Sequence, residues 1–255
     1  MGEIKILCYI FSWKGQFENA VKLQEQLSPL LDVVVINSDD DNTKEGWINI
    51  GNECYFSDQF RTALDAFDDS KYDVLWHIQA DASYSEWEPI IKSARESYNT
   101  YNWGVFAPNV NDTFYISERT DVSDLDGNLK LVATTDNTCW FIHKDYINAM
   151  KANYHLMREN ILGWGWDLII CALSHLDGRY VIRDYSFEVN HPTSTGYMKD
   201  KAEKEMQEMF QKCDLKLQET IYNIKVKPRE LGKLYNIQQV SNSAEIIYNT
   251  ATGIY

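Results

Sequence analysis

The chain has 255 residues, enough for one large or two small domains, and its 44% hydrophobic and 24% charged content belongs to a globular protein rather than a disordered one. A net charge of −14 excludes broad nucleic-acid binding, which needs basic surface, and obliges any phosphate-bearing ligand to find a local cation. The five scattered cysteines (Cys8, Cys54, Cys139, Cys171, Cys213) lack CxxC spacing and no apolar run reaches membrane-span length, so the expectation is buried free thiols in a soluble, cytoplasmic protein.

Apolar runs with helical segments between them organise the first half. "IKILCYI" (4–10) reads as the first strand, and "GQFENAVKLQEQLSPLL" follows with Phe17, Val21, Leu23, Leu27 and Leu30 near helical spacing. "DVVVIN" (32–37) is the second strand, and Phe56, Phe60, Leu64 and Phe67 mark a helix after it. "DVLWHI" (73–78) is the third, and Ser85-Glu-Trp-Glu88 fits a capping box opening the helix "EWEPIIKSARES". "WGVFA" (103–107) and "CWFIH" (139–143) complete the apolar set. Strand–helix–strand alternation of this kind predicts a mostly parallel α/β sheet flanked by helices.

The alternation stops near residue 108. "TFYISER" and "NLKLVAT" suggest a small antiparallel element around the Asp126-Gly127-Asn128 turn. Helices over 144–154 and 167–176 and the strand "YVIRDYSFEV" come next, then a charged helical extension from Met198 onward. The units expected are a domain over 1–197, split into halves at 107/108, and the extension over 198–255. Its helices are the surface available for a partner or for oligomerisation.

In open α/β sheets, ligands bind beyond the carboxyl ends of the strands. Phe11, Ser12 and Trp13 follow the first strand, Asp39 and Asp40 the second, and Gln79-Ala80-Asp81 the third. No glycine-rich phosphate cradle follows any strand, which argues against a dinucleotide dehydrogenase or a P-loop enzyme. A phosphate would then need a metal ion on carboxylates, and Asp81 stands where such a ligand belongs. "GWGWD" places Asp167 where a glycine- and tryptophan-rich loop meets an apolar helix, as a helix N-cap or a general base. Trp164 and Trp166 offer flat faces suited to sugar rings. His191 in "NHP" is a third candidate, structural or metal-binding, and Arg61 is either a snorkelling helix residue or a phosphate or base contact.

With these three sites in this order, the chain resembles the GT-A glycosyltransferases, which use nucleotide-sugar donors, over roughly residues 4–195. Gln79-Ala80-Asp81 lies where that class has its DxD metal motif, "GWGWD" resembles the segment ending in the catalytic carboxylate of inverting members, and "NHP" lies where several members place a late metal-binding histidine. The resemblance implies a nucleotide diphosphate sugar donor, a carbohydrate or glycan acceptor, and Mn²⁺ or Mg²⁺ on Asp81 and His191. Phe11, Ser12, Trp13, Asp39, Asp40, Arg61, Gln79 and Ala80 would surround the donor. Asp167 would be the base of an inverting transfer, with Trp164 and Trp166 at the acceptor. The donor half would be 1–107 and the acceptor half 108–197.

One departure is plain: Gln79 replaces the first acid of DxD and contributes no charge. A retaining transferase, a nucleotidyltransferase of related architecture, and a non-catalytic carbohydrate- or nucleotide-binding protein with a degenerate site stand as alternatives.

Overall fold

A computed structural model of the protein describes residues 3–192 and 198–226, Pro228, Leu231, and the backbone of 235–240 and 243–248. In chain order the elements are β1 (Ile6–Trp13), α1 (Phe17–Leu27), β2 (Asp32–Ser38), β3 (Ile48–Asn49), α2 (Phe56–Ala66), β4 (Val74–Gln79), α3 (Glu88–Tyr101) and β5 (Val105–Val110). Then follow α4 (Ser117–Thr120), β6 (Asp121–Asp124), β7 (Leu129–Val132), β8 (Cys139–His143), α5 (Lys144–Lys151), α6 (Tyr154–Glu159), α7 (Trp166–Leu176) and β9 (Val181–Val189). Two helices, α8 (Lys199–Lys212) and α9 (Leu215–Val226), and a hairpin of β10 (Tyr235–Val240) and β11 (Ser243–Tyr248) complete it.

Nine strands form one sheet in the order β3-β2-β1-β4-β8-β5-β9-β7-β6. The first four, β3 to β4 in that order, run parallel. There the expected parallelism ends. β8 enters between β4 and β5 antiparallel to both, β5 pairs β9 in parallel, and β7 is antiparallel to β6 and β9. The sheet is mixed, because β8 is reached from the β6–β7 hairpin rather than through a helical crossover.

Alternate residues of the central strands feed two cores. Leu7, Tyr9, Phe11 and Leu75 pack with α2, α5 and α7 on one face. Ile6, Cys8, Ile10, Val74, Trp76 and Ile78 pack with α1 and α3 on the other. His77 belongs to the first face, as the strand period requires. It lies 4.1 Å from the Phe11 ring and accepts from Trp140 Nε1 at 3.2 Å. Burial pushes its pKa down to about 3, so it is a neutral core residue.

Several boundaries differ from expectation. "TFYISER" is not a strand: 117–120 is the short helix α4, and β6 pairs β7 just after it. The helix expected over 144–154 is two helices, α5 and α6. Ser85 does not cap α3, which opens at Trp87 with a proline in its first turn. The tail is helical only to Val226; the β10–β11 hairpin follows. Residue 197, the expected boundary, and 249–255 lie outside the described residues. Far from standing off as an arm, α8 and α9 put Met206, Met209, Phe210, Ile221 and Ile224 into the core beside α7. Four of the five cysteines are buried, and all five are free.

This covering explains the apolar sequence of α7, which has the sheet on one side and the last helices on the other. It also explains "GWG". Gly165 has φ +91°, and a Cβ there would come 2.7 Å from Phe210 and 2.8 Å from Met206. Gly165→Ala should therefore destabilise the fold by about 2 kcal/mol or more, from left-handed strain plus overpacking, and urea denaturation would measure it. A loss within error of zero would show that α8 does not close on α7 as described.

Candidate active site

The parallel strands β1 and β4 end side by side, with Phe11 opposite Gln79, and the Ala80 amide donates to the Phe11 carbonyl at 2.9 Å. Asp81 leaves β4 at this point. Two residues on, Ser83 exchanges backbone hydrogen bonds of 2.8 and 2.9 Å with Asn190. That bridge carries the segment after β9 across the end of β4. The His191 amide is fixed by Asn111 Oδ1 at 2.8 Å. The three residues Gln79, Asp81 and His191, spread over 112 positions of sequence, are thereby brought together: His191 Nε2 lies 3.3 Å from Gln79 Oε1 and 3.5 Å from Asp81 Oδ1.

Asp81 is largely buried, and its Oδ1 has an ion-pair distance to His191 but no hydrogen-bond partner. Burial raises its pKa, the His191 charge opposes this, and Asp136 adds to the rise. A buried carboxylate oxygen without a donor, beside an imidazole and an amide oxygen, suits a small divalent cation. Among the described residues no group of three or more His, Cys, Asp or Glu is placed to hold a metal; the further oxygen beside Asp81 and His191 is Gln79 Oε1. The donor set is compatible with Mn²⁺ or Mg²⁺ sharing its sphere with phosphate oxygens.

Asp167 lies on the same face of the sheet as Gln79, at the start of α7. It is not the helix N-cap. Gly165 occupies that position and Asp167 sits in the first turn, where the helix dipole favours its negative charge. Its Oδ1 accepts from the Leu168 amide at 2.9 Å and its Oδ2 accepts from the Tyr115 hydroxyl. Burial first, and Asp136 with it, lift its pKa to about 6 against the hydrogen bond from Tyr115. A carboxyl poised there changes protonation close to neutrality, as a general base requires. Tyr115 is held well above the ordinary phenol value by burial and by Asp167, so it stays a donor.

The remaining sequence candidates divide. Phe11 is fully buried against Phe56 and His77, which removes it from direct contact with a ligand. Ser12 alternates to the opposite face from Gln79; its buried Oγ has no partner, and its carbonyl accepts from Gln59 Nε2 at 2.7 Å. Trp13 is the half-buried residue that follows on the Gln79 side. Asp39 closes its own turn through Asn42 Nδ2 (2.9 Å) and the Asp41 amide (3.0 Å), and the Asn42 bond leads in holding its carboxyl below the usual range. Asp40 pairs with Asn52 through bonds of 3.0 and 3.1 Å. Arg61 pairs with Asp58 one turn back on α2, at 3.1 Å, as a structural helix residue does.

Of the two tryptophans, Trp164 keeps partial exposure and packs against the core edge. Trp166 is wholly buried, and its indole N–H donates to Ser57 Oγ at 2.9 Å. It is a core anchor and has no face free for an acceptor.

Sequence reasoning missed Tyr115, which lay in a segment misread as a strand, and Arg183. The Arg183 guanidinium is fully buried and donates to the carbonyls of Tyr115 (2.6 Å) and Thr134 (3.0 Å). An arginine amid the apolar strand "YVIRDY" was the only available signal. Asp136 lies in the polar stretch "TTDNT" (134–138), which no local pattern distinguishes from a loop.

No family model matches the chain, and no curated protein does. Among solved structures, GalNAc-T7 with UDP, GalNAc and Mn²⁺ matches with a TM-score of 0.56 at 8% identity, over 82% of this chain and 48% of that one. The chain thus spans about half the length of that protein. CMP:2-keto-3-deoxy-manno-octonic acid synthetase complexed with CTP matches at TM-score 0.44 and 12% identity, over 82% and 100% of the two chains. 4-Diphosphocytidyl-2C-methyl-D-erythritol synthase from Anaerococcus prevotii DSM 20548 does so at 0.43 and 10%, over 80% and 96%. The first likeness is one of fold, and it makes the architecture GT-A-like; the other two add no weight. Among the described residues, no helix is long and apolar enough to cross a membrane.

Proposed function

We propose that the protein is a glycosyltransferase that moves a sugar from a nucleotide diphosphate sugar to a hydroxyl acceptor with inversion. The observation that carries this is the meeting of Gln79, Asp81 and His191 at the end of β4, on the same sheet face as a buried carboxylate titrating near 6. Residues 1–107 supply the donor side, with Trp13 and the 38–42 turn at the nucleoside. Residues 108–197 supply the acceptor side, with Trp164 at its rim.

Asp81, His191 and the Gln79 carbonyl oxygen would hold Mn²⁺ or Mg²⁺, which when bound neutralises charge building on the departing diphosphate. Asp167 accepts the proton of the acceptor hydroxyl, so that the oxygen attacks the anomeric carbon opposite the leaving group. Tyr115 orients the Asp167 carboxylate by donating to Oδ2. The Leu168 amide steadies Oδ1.

Titration calorimetry with a panel of nucleoside diphosphates tests the donor side. Mn²⁺ should tighten binding of the preferred nucleotide by roughly tenfold or more, about 1.4 kcal/mol. Asp81→Ala should erase that gain. Because burial holds the Asp81 proton more firmly than usual, the Mn²⁺ effect should also fade on acidification, as the cation must displace that proton. Binding that is equally tight with and without Mn²⁺, in wild type and Asp81→Ala alike, would sink the metal role.

A further inference from the structure

Asp136 has no role in the transfer described above, yet it stands between the two sides of the site. Its Oδ2 accepts from Thr113 Oγ1 at 2.6 Å, and its Oδ1 accepts from the Thr138 amide at 2.7 Å. Both partners lead further. The Tyr115 amide donates to Thr113 Oγ1 at 3.3 Å, and the Tyr115 hydroxyl donates to Asp167. In the other direction the Thr138 carbonyl accepts from the Gln79 amide at 2.9 Å, and the Gln79 side chain meets His191. One carboxylate is thus the centre of a hydrogen-bonded path from Asp167 to the end of β4.

The segment from 111 to 116, which carries Tyr115, has no helix or strand to set its position. The Asn111 amide anchors its start on the Val189 carbonyl at 3.1 Å, and side-chain ties hold the rest. Arg183 provides one, through the carbonyls of Tyr115 and Thr134. Asp136 provides the one that reaches β8 and, through Thr138, β4.

We propose that Asp136 is a positioning residue: it ties the Tyr115 segment to the start of β8, and so keeps the Tyr115–Asp167 pair in register with Gln79, Asp81 and His191. This purpose rests on the transferase function; the ties themselves do not. The charge of Asp136 serves the same end. The groups facing Asp167 are Tyr115 from the segment after β5, Asp136 from the segment before β8, and Cys171 one turn along α7, while Arg183 of β9 acts on Cys171. Of these, Asp136 is the anion that makes Asp167 hold its proton more firmly.

The test is Asp136→Asn. Asparagine removes the charge but can keep both ties, its Oδ1 accepting from the Thr138 amide and its Nδ2 donating to the Thr113 hydroxyl, whereas Asp136→Ala removes the charge and both ties. Two readouts need no substrate. In protein labelled with ¹³C-carboxyl aspartate, with the Asp167 signal identified through Asp167→Asn, the Asp167 midpoint should fall from about 6. In Asp136→Ala, amide exchange at Tyr115 or Thr138 should accelerate about five- to tenfold, the worth of one hydrogen bond. An Asp167 midpoint that does not move overturns the assignment, since a purely structural Asp136 would leave it in place. Unchanged exchange at both amides overturns it too. Absence of Mn²⁺-dependent nucleotide binding in the wild type would instead overturn the transferase function, and neither readout here depends on that result.

Discussion

Asp167→Asn is expected to lose sugar transfer by about 10²–10⁴-fold, the usual worth of a general base, while leaving Mn²⁺-dependent nucleotide binding intact. The replacement is nearly isosteric, and the amide oxygen still accepts from Tyr115 or Leu168, so the loss would report proton transfer rather than collapse of the site. The same change should stabilise the protein at neutral pH. The folded protein holds the Asp167 proton to about pH 6, whereas an ordinary aspartate releases it near 3.8. Between these values the folded state binds more protons than the unfolded one, so stability falls as pH rises. Above about pH 6 the full penalty, on the order of 2–3 kcal/mol, persists. Asparagine carries no such penalty. Thermal melts should therefore show the variant more stable than wild type at pH 7 and the two nearly equal below pH 3.8. In the wild type, kcat/KM should rise as pH passes through about 6. Unchanged transfer would remove Asp167 from the mechanism, and equal melts at pH 7 would show that its carboxylate is not held at a cost.

Trp166→Ala should destabilise the fold by about 3–5 kcal/mol, because the site is enclosed and the cavity cannot refill cheaply. Trp166 is among the largest fully buried side chains, and its N–H ends on Ser57, whose hydroxyl donates to the Asn160 carbonyl. That arrangement joins the start of α2 to the loop before α7. Trp166→Phe separates the two contributions: most of the volume remains, and the loss should shrink to about 1–3 kcal/mol. Denaturant titration reads both. At about 2–4 °C per kcal/mol, the alanine variant should also melt visibly earlier. A cost under about 1 kcal/mol would mean that the indole is not packed as described, and would reopen it as an acceptor contact.

The strands and helices of the first half were legible because their signal is local. β1, β2, β4 and β8 are apolar runs buried on both faces, and α1 and α2 carry one apolar stripe each. Gln79 and Asp81 were legible as polar residues at the end of β4, and side chains two apart share a face. What misled was equally local. "TFYISER" has strand composition, but it turns into α4 and leaves 121–124 to pair with β7. Trp166 and Trp164 are two residues apart in one motif, yet the first is wholly buried with its N–H on Ser57 of α2 and the second is only partly buried at the core edge.

From the sequence alone came the α/β class, the absence of a phosphate-cradling glycine loop, and the identity of the acids and histidine at strand and helix ends. All three are properties of short windows, in which periodicity and residue chemistry are written directly. The tertiary structure decided that β8 makes the sheet mixed, that His191 reaches Asp81 through the Ser83–Asn190 bridge, and that hydrogen bonds link Asp167 through Tyr115 and Thr113 to Asp136. These depend on contacts between residues dozens of positions apart. No local pattern encodes such contacts, because they form only when the two cores pack and bring separate loops to one end of the sheet.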